Sequence, residues 1–135
     1  RKFVKIKNHA GIIKKYKPNE ISSFLVYKPR GNTDYKFIST YRDDYKHFYH
    51  EILVGKISYY KIYNQDINAS EFYKEIFIKN DKIQDVTMFS YRKDFGELIK
   101  DYPELYSKWI DGNKFYKTYE IELVISLYNE YSKNK

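Results

Sequence analysis

The chain has 135 residues, of which 42% are hydrophobic and 20% aromatic, so it is long enough and apolar enough to bury a core. It contains no cysteine, which excludes a disulfide, a thiolate metal site and a cysteine nucleophile within these residues. Charged residues interrupt every apolar run well before the roughly 18 residues that a membrane-spanning helix needs. The composition therefore predicts a globular domain that does not span a membrane.

The formal net charge of +7 is concentrated at the N-terminus. Positions 1 to 17 contain no acidic residue, and the first one is Glu20. The basic residues of this segment are Arg1, Lys2, Lys5, Lys7, Lys14, Lys15 and Lys17. Basic and acidic residues are equal in number over the rest of the chain, so any surface that binds a polyanion is expected in this first segment.

Short runs rich in Val, Ile, Tyr and Phe, separated by turn-forming residues, predict an antiparallel meander of about seven strands between residues 2 and 88. Residues 3–7 and a second run through Ile12, Ile13 and Tyr16 are predicted to form a hairpin, with its turn at Asn8 to Gly11. The candidate runs for these strands, eight in all, cover residues 3–7, 12–16, 23–28, 34–41, 48–54, 56–63, 72–79 and 83–88. Pro29 to Asn32 forms a strong turn signal between the third and fourth of these runs.

Two or three helices are predicted between residues 91 and 132. Ser90 or Asp94 is a candidate cap for the first, Pro103 fits the first turn of the second, and Asp111-Gly112 would end it. The last helix has the clearest apolar stripe, formed by Ile121, Val124, Ile125, Tyr128 and Tyr131. Asn129 lies mostly off that stripe. These elements predict an α+β fold in a single domain, residues 1–135.

The segment His47-Phe48-Tyr49-His50-Glu51 is the strongest candidate for a metal or acid-base site. Its order of residues matches neither common zinc-protease pattern. On a strand, the spacing of three would place the two imidazoles on opposite faces. We therefore expect ordinary strand histidines here. An enzyme that uses His47, His50 and Glu51 remains a third hypothesis, after the two binding functions given at the end of this section.

Other catalytic signals are absent from the sequence. Asp43-Asp44 resembles part of a carboxylate metal site but is better explained as a turn. The five glycines are scattered and form no phosphate-binding loop. Asn68-Ala69-Ser70 matches a glycosylation acceptor, a pattern that is frequent by chance in an Asn-rich chain. The sequence predicts no cofactor, no metal site and no enzymatic activity.

Two sets of residues are candidates for an interaction surface. The first set is basic and comprises Lys5, Lys7, Lys14, Lys15 and Lys17, with aromatic residues close by in the sequence. The second comprises Tyr59, Tyr60 and Tyr63, which fall on both faces of one strand, so at least one face of that strand is expected to keep an exposed aromatic side chain. Lysines on an outer strand also prevent edge-to-edge aggregation, which is a purely structural explanation of the first set.

Several short segments resemble a group of small, uncharacterised exported proteins from Bacteroidota. They are Lys17 to Ile21 with Phe24, residues 48–60 (FYHEILVGKISYY), residues 72–79, residues 102–105 and residues 127–131. Members of that group typically carry a cysteine near the Pro-Glu-Leu segment, where this chain has Asp101-Tyr102. The resemblance implies an N-terminal signal peptide that has been removed, and a periplasmic or outer-membrane-associated location. It implies no activity.

The sequence thus predicts a non-catalytic protein of the cell envelope that works by binding another protein, with an accessory subunit of an outer-membrane assembly as one form. The alternative is binding of nucleic acid or another polyanion through the basic N-terminal hairpin. Nucleic acid is the less expected partner of the two, and the oligomeric state is left open.

Overall fold

The computed structural model describes residues 3–26, 35–39, 47–63 and 73–135. Within them, eight antiparallel strands precede three α-helices, which confirms the predicted α+β fold. The strands are β1 (Val4–Lys7), β2 (Ile13–Tyr16), β3 (Ser23–Val26), β4 (Tyr35–Ser39), β5 (Phe48–Leu53), β6 (Ile57–Tyr63), β7 (Tyr73–Lys79) and β8 (Lys82–Gln84). The helices are α1 (Tyr91–Ile99), α2 (Pro103–Ile110) and α3 (Ile121–Lys133).

The strands do not form one continuous meander. β1 and β2 pair only with each other, while the remaining strands form a six-stranded sheet in the order β3-β4-β5-β6-β7-β8. Each strand of the larger sheet therefore pairs with its neighbour in sequence, as hairpin connections dictate. β8 is shorter than the prediction for residues 83–88.

The chain divides into two compact units. The first unit comprises Arg1–Ile52 and Tyr60–Glu75, and the second comprises Leu53–Tyr59 and Ile76–Lys135. The first unit thus holds the β1-β2 hairpin and most of β3 to β6, and the second holds the three helices. The predicted single domain does not anticipate this subdivision.

A chain of aromatic rings forms the centre of the second unit. Tyr59 stacks on Phe77 with ring centroids 5.1 Å apart, Phe77 contacts Phe95 at 5.4 Å, and Phe95 meets Trp109 edge-on at 5.1 Å. All four side chains are at most 1% exposed. Such pairs contribute about 0.5–1.5 kcal/mol each beyond the burial of their area.

α3 buries the stripe that its sequence predicts. Ile121, Val124, Ile125 and Tyr128 are at most 4% exposed, and Tyr131 is half-buried. Asn129, however, is also buried, at 9% exposure. Its amide satisfies the backbone of Ile57, so a polar residue occupies the interior at low cost.

The helix boundaries follow local chemistry. Pro103 occupies the first turn of α2, as predicted, because this position needs no backbone N–H donor. Gly112 follows α2 with φ of 71°, a left-handed conformation that favours glycine. Ser90 is at the N-terminal boundary of α1 but makes no side-chain cap, whereas Asp94 accepts hydrogen bonds from the backbone N–H and hydroxyl of Thr87, each at 2.9 Å.

No helix of residues 3–26, 35–39, 47–63 or 73–135 combines the length and apolarity required to cross a bilayer. Three of the sequence-based predictions fall outside these residues. They are the turn at Pro29 to Asn32, the acidic pair Asp43-Asp44 and the Asn68-Ala69-Ser70 motif.

Candidate functional site

The β1-β2 hairpin carries the basic segment, and its tight connection is built by Asn8 and Gly11. The side-chain oxygen of Asn8 accepts a hydrogen bond from the backbone N–H of Ile12 at 2.9 Å, and the carbonyl of Asn8 accepts one from Gly11 at 3.0 Å. Gly11 adopts φ of 83°, which residues with a side chain rarely adopt. This turn fixes the register of the two strands.

The register places three of the predicted lysines on one face. Lys5 lies directly opposite Lys15, and Lys7 lies opposite Ile13. Because side chains alternate along a strand, these four residues project to the same side of the hairpin. Phe3 lies on this side too, since the ammonium of Lys15 sits 5.1 Å from the centre of its ring. We call the side formed by Phe3, Lys5, Lys7, Ile13 and Lys15 the basic face.

Lys14 and Lys17 have different positions. Lys14 pairs with Ile6 and projects to the other side of the hairpin, together with the buried Val4. Lys17 follows the end of β2, where its backbone N–H donates to the carboxylate of Glu20 at 2.6 Å. Both side chains are exposed. The structure therefore gathers Lys5, Lys7 and Lys15 and separates the other two from them.

The charge of the basic face has no ion-pair partner among the described residues. Segment 3–19 has no carboxylate, and no carboxylate of the described residues forms an ion pair with Lys5, Lys7 or Lys15. Like charges directly across a strand pair repel each other, so the Lys5–Lys15 pair opposes hairpin formation. An anionic partner seated on this face would remove that repulsion.

Exposed apolar side chains accompany the lysines. Phe3 is 43% exposed, Ile13 on the basic face is 61% exposed, and Ile12 beside the turn is 55% exposed. The sequence pattern predicts a strand at the two isoleucines and does not identify them as surface residues. Their position next to the tight turn of a two-stranded hairpin was the signal that could have revealed them, since such a hairpin has little capacity to bury them.

The expectation of an exposed aromatic side chain among Tyr59, Tyr60 and Tyr63 is wrong. Tyr59 and Tyr60 are 1% and 9% exposed, and Tyr63 is half-buried. Residues on both faces of β6 are buried, so alternation along this strand does not separate core from surface. None of the three tyrosines adds a fully exposed ring to the candidate surface.

The segment from His47 to Glu51 enters β5, as the strand prediction required. His50 is buried and its Nδ1 atom lies 2.6 Å from the hydroxyl of Tyr63. Glu51 points to the opposite face of β5 and pairs with Lys36 at 3.3 Å. His47 is half-buried just before the strand. The strand geometry thus separates His50 from Glu51 rather than bringing them together.

The described parts of the chain contain no group of three His, Asp or Glu residues that could hold a metal ion. Comparison of the chain with protein-family models, with curated proteins and with solved structures found no match. The support for the basic face as a candidate site therefore comes from its geometry and not from a known relative.

Proposed function

We propose that this protein is a non-catalytic binding domain that docks onto an acidic protein surface through the basic face of its β1-β2 hairpin. The observation that carries the proposal is the register of the hairpin, which aligns Lys5 with Lys15 and Lys7 with Ile13. The alignment gives one exposed side with three lysines, no carboxylate and two large apolar side chains. Protein interfaces commonly combine apolar side chains with charged ones, and the charges favour a partner of complementary sign.

The apolar residues favour a protein over a nucleic acid as the partner. Ile13 of the basic face is aliphatic, and it would gain little from a phosphate backbone, whose recognition depends on charge and hydrogen bonds. Against a protein surface, the same side chain would be removed from water, at about 25 cal/mol per Å² of apolar area. The mixed chemistry of this face therefore supports an acidic protein with an apolar patch.

The location in the cell envelope is part of the proposal. It is supported by the resemblance to exported Bacteroidota proteins alone, and an accessory subunit of an outer-membrane assembly is the form of partner that this location suggests. Fractionation of native cells tests it directly: recovery of the protein in the cytoplasm would contradict the location without bearing on the hairpin.

The decisive experiment is native co-purification of three versions of the protein. The first is the wild type, the second carries Lys5→Glu, Lys7→Glu and Lys15→Glu, and the third carries Lys82→Glu, Lys93→Glu and Lys117→Glu. The third set also consists of exposed lysines and changes the net charge by the same amount. We expect a stoichiometric protein partner with the wild type and with the third version, and its loss with the second.

Three results would contradict the proposal. The wild type could purify alone, the hairpin variant could retain its partner, or both variants could lose it equally, which would indicate a general charge effect. A partner that disappears on nuclease treatment would instead support the polyanion alternative. That alternative also predicts an affinity that falls steeply as salt is raised.

A further inference from the structure

A row of stacked rings crosses four neighbouring strands of the first unit. Phe24 of β3 stacks on Phe37 of β4 at 4.9 Å, Phe37 stacks on His50 of β5 at 5.1 Å, and His50 stacks on Tyr63 of β6 at 5.6 Å. The interplanar angles are 6°, 26° and 28°. The strand register produces the row, because Phe24 lies opposite Phe37 and Phe37 lies opposite His50.

An open cavity of about 220 Å³ adjoins this row. The described residues that line it are Val26, Tyr35, Phe37, Phe48 and Tyr63. Val26 lies opposite Tyr35 in the register of β3 and β4, so both belong to the same face of the sheet as Phe24 and Phe37. The lining is thus four aromatic rings and one aliphatic side chain, and none of them carries a charge.

The cavity walls are held in place before any ligand arrives. Phe48 is 2% exposed and meets Phe24 edge-on at 4.9 Å. Tyr35 meets the ring of His50 edge-on at 4.7 Å, and the hydroxyl of Tyr63 lies 2.6 Å from Nδ1 of His50. Rings fixed by such contacts lose little conformational entropy when a ligand binds, which favours affinity.

The volume limits the size of the ligand. A closed apolar cavity of roughly 150 Å³ is enough to bind benzene, whereas pockets for drug-sized molecules have roughly 300–1,000 Å³. A cavity of about 220 Å³ therefore fits one ring or two fused rings. The aromatic lining favours an aromatic ligand over an aliphatic one, because ring pairs attract each other beyond the effect of buried area.

The charge of the ligand follows from the lining. An ion that entered would lose hydration, and no opposite charge among the described lining residues would replace it. We propose that the cavity between β3, β4, β5 and β6 binds a small uncharged aromatic molecule of one or two fused rings. The proposal is independent of the basic face and of its partner.

Titrations with indole, indole-3-acetate and tryptamine test whether the cavity binds a two-ring aromatic molecule and whether that ligand must be uncharged. The three probes share one ring system but are neutral, anionic and cationic at neutral pH. Backbone amide NMR spectra of the full chain give both the affinity and the location. Indole should shift the amides of Val26, Tyr35, Phe37, Phe48 and Tyr63 saturably, with a Kd at least tenfold lower than those of the charged probes.

The matched variants are Val26→Trp and Leu25→Trp. These neighbours on β3 project to opposite faces, and both are exposed, at 39% and 49%, so the same enlargement fills the cavity in one variant and leaves it open in the other. Val26→Trp should weaken indole binding at least tenfold, and Leu25→Trp should leave it within twofold. The dispersion of the amide spectrum reports whether each variant is folded.

Should Val26→Trp fail to fold, Tyr35→Leu replaces it, because this change removes one aromatic wall and should weaken binding at least fivefold. The proposal is overturned if indole produces no saturable shifts in the wild type, if the shifts map to other residues, or if a charged probe binds as tightly as indole. Equal weakening by the two tryptophan variants would overturn it as well.

Discussion

The side-chain amide of Asn129 on α3 forms two hydrogen bonds with the backbone of Ile57, which lies 72 residues away in the sequence. Its oxygen accepts from the N–H of Ile57 at 2.8 Å, and its nitrogen donates to the carbonyl of Ile57 at 2.9 Å. Both bonds are buried. A single side chain thus replaces the two backbone partners that a neighbouring strand would supply, and it fastens α3 to the start of β6.

Replacing Asn129 should therefore destabilise the second unit strongly. Asn129→Ala leaves a buried donor and a buried acceptor unsatisfied, and we expect a loss of about 2–4 kcal/mol in the free energy of unfolding. Asn129→Asp can still accept from Ile57 but cannot donate, so it should also be destabilised. Urea unfolding monitored through Trp109 measures these losses, and the exposed Asn134→Ala is the control. A loss below about 1 kcal/mol for Asn129→Ala would contradict the assignment.

Gly55 is constrained by the same amide. A Cβ added to Gly55 would lie 2.5 Å from Nδ2 and 2.6 Å from Cγ of Asn129, closer than real contacts allow. Gly55→Ala should therefore displace the Asn129 side chain and cost about 1–3 kcal/mol, as other forced contacts in packed interiors do. In an Asn129→Ala background the same change should cost much less. A double-mutant cycle measures this coupling, and strictly additive effects would show that the clash is relieved elsewhere.

The burial of Asn129 could not be predicted from the sequence. The three- and four-residue spacing of α3 identified the buried stripe, because periodicity depends only on local geometry. The same reasoning placed Asn129 off the stripe, because its burial depends on a backbone pair in a distant strand. The predicted exposure of Tyr59 and Tyr60 was wrong for a related reason. The sequence of β6 could not reveal that this inner strand has two buried faces.

The candidate site also has features that the sequence predicts and features that only the structure reveals. The sequence located the basic segment and its hairpin, since charge and turn residues are local features. Register decided which lysines share a face, and a shift by one residue would have exchanged Lys14 for its neighbours. The cavity beside the aromatic row could not be predicted, because it requires the pairing of four separate strands.

Tyr128, Asp101 and Lys79 form a polar cluster that should make stability depend on pH. The Tyr128 hydroxyl donates to both carboxylate oxygens of Asp101, at 2.9 and 2.8 Å, and Lys79 pairs with the same carboxylate at 3.1 Å. Burial alone would raise the pKa of Asp101, but the bonds from Tyr128 and Lys79 outweigh it and hold the pKa below its ordinary value of 3.8. A carboxyl with a lowered pKa stabilises the folded state above its unfolded pKa and loses that contribution as the pH falls through the folded pKa.

Tyr128→Phe should therefore lower the free energy of unfolding by about 1 kcal/mol near neutral pH, a small value because the Asp101 side chain is 58% exposed. The difference between variant and wild type should shrink below pH 3.8, where Asp101 becomes protonated in the unfolded chain first. Unfolding curves between pH 2 and pH 7 measure it. A difference that stays constant over this range would show that the Tyr128 bonds do not stabilise the carboxylate.

Arg92 should resist replacement by lysine. Its guanidinium donates to the carbonyls of Trp109 and Tyr116, at 2.6 and 3.0 Å, and to the side chain of Asn113 at 2.8 Å. A lysine retains the charge but not the planar fork, so Arg92→Lys should cost about 1–3 kcal/mol. Thermal unfolding provides the measurement, and Lys93→Ala, an exposed neighbour on the same helix, should change little. An effect of Arg92→Lys as small as that of Lys93→Ala would show that the planar fork contributes no measurable stability.

Lys15 separates the stability of the hairpin from its proposed function. Lys15→Glu turns the repulsive pair with Lys5 into an attractive one, so the β1-β2 amides should resist hydrogen exchange at least as well as in the wild type. Binding of the acidic partner should nevertheless weaken at least tenfold, because the carboxylate lies within the basic face. Lys14→Glu makes the same charge change on the adjacent residue but on the other side of the hairpin, and it should weaken binding less. If the two variants weaken binding equally, net charge rather than the basic face governs docking, and if Lys15→Glu unfolds the hairpin, the lysines have a structural role.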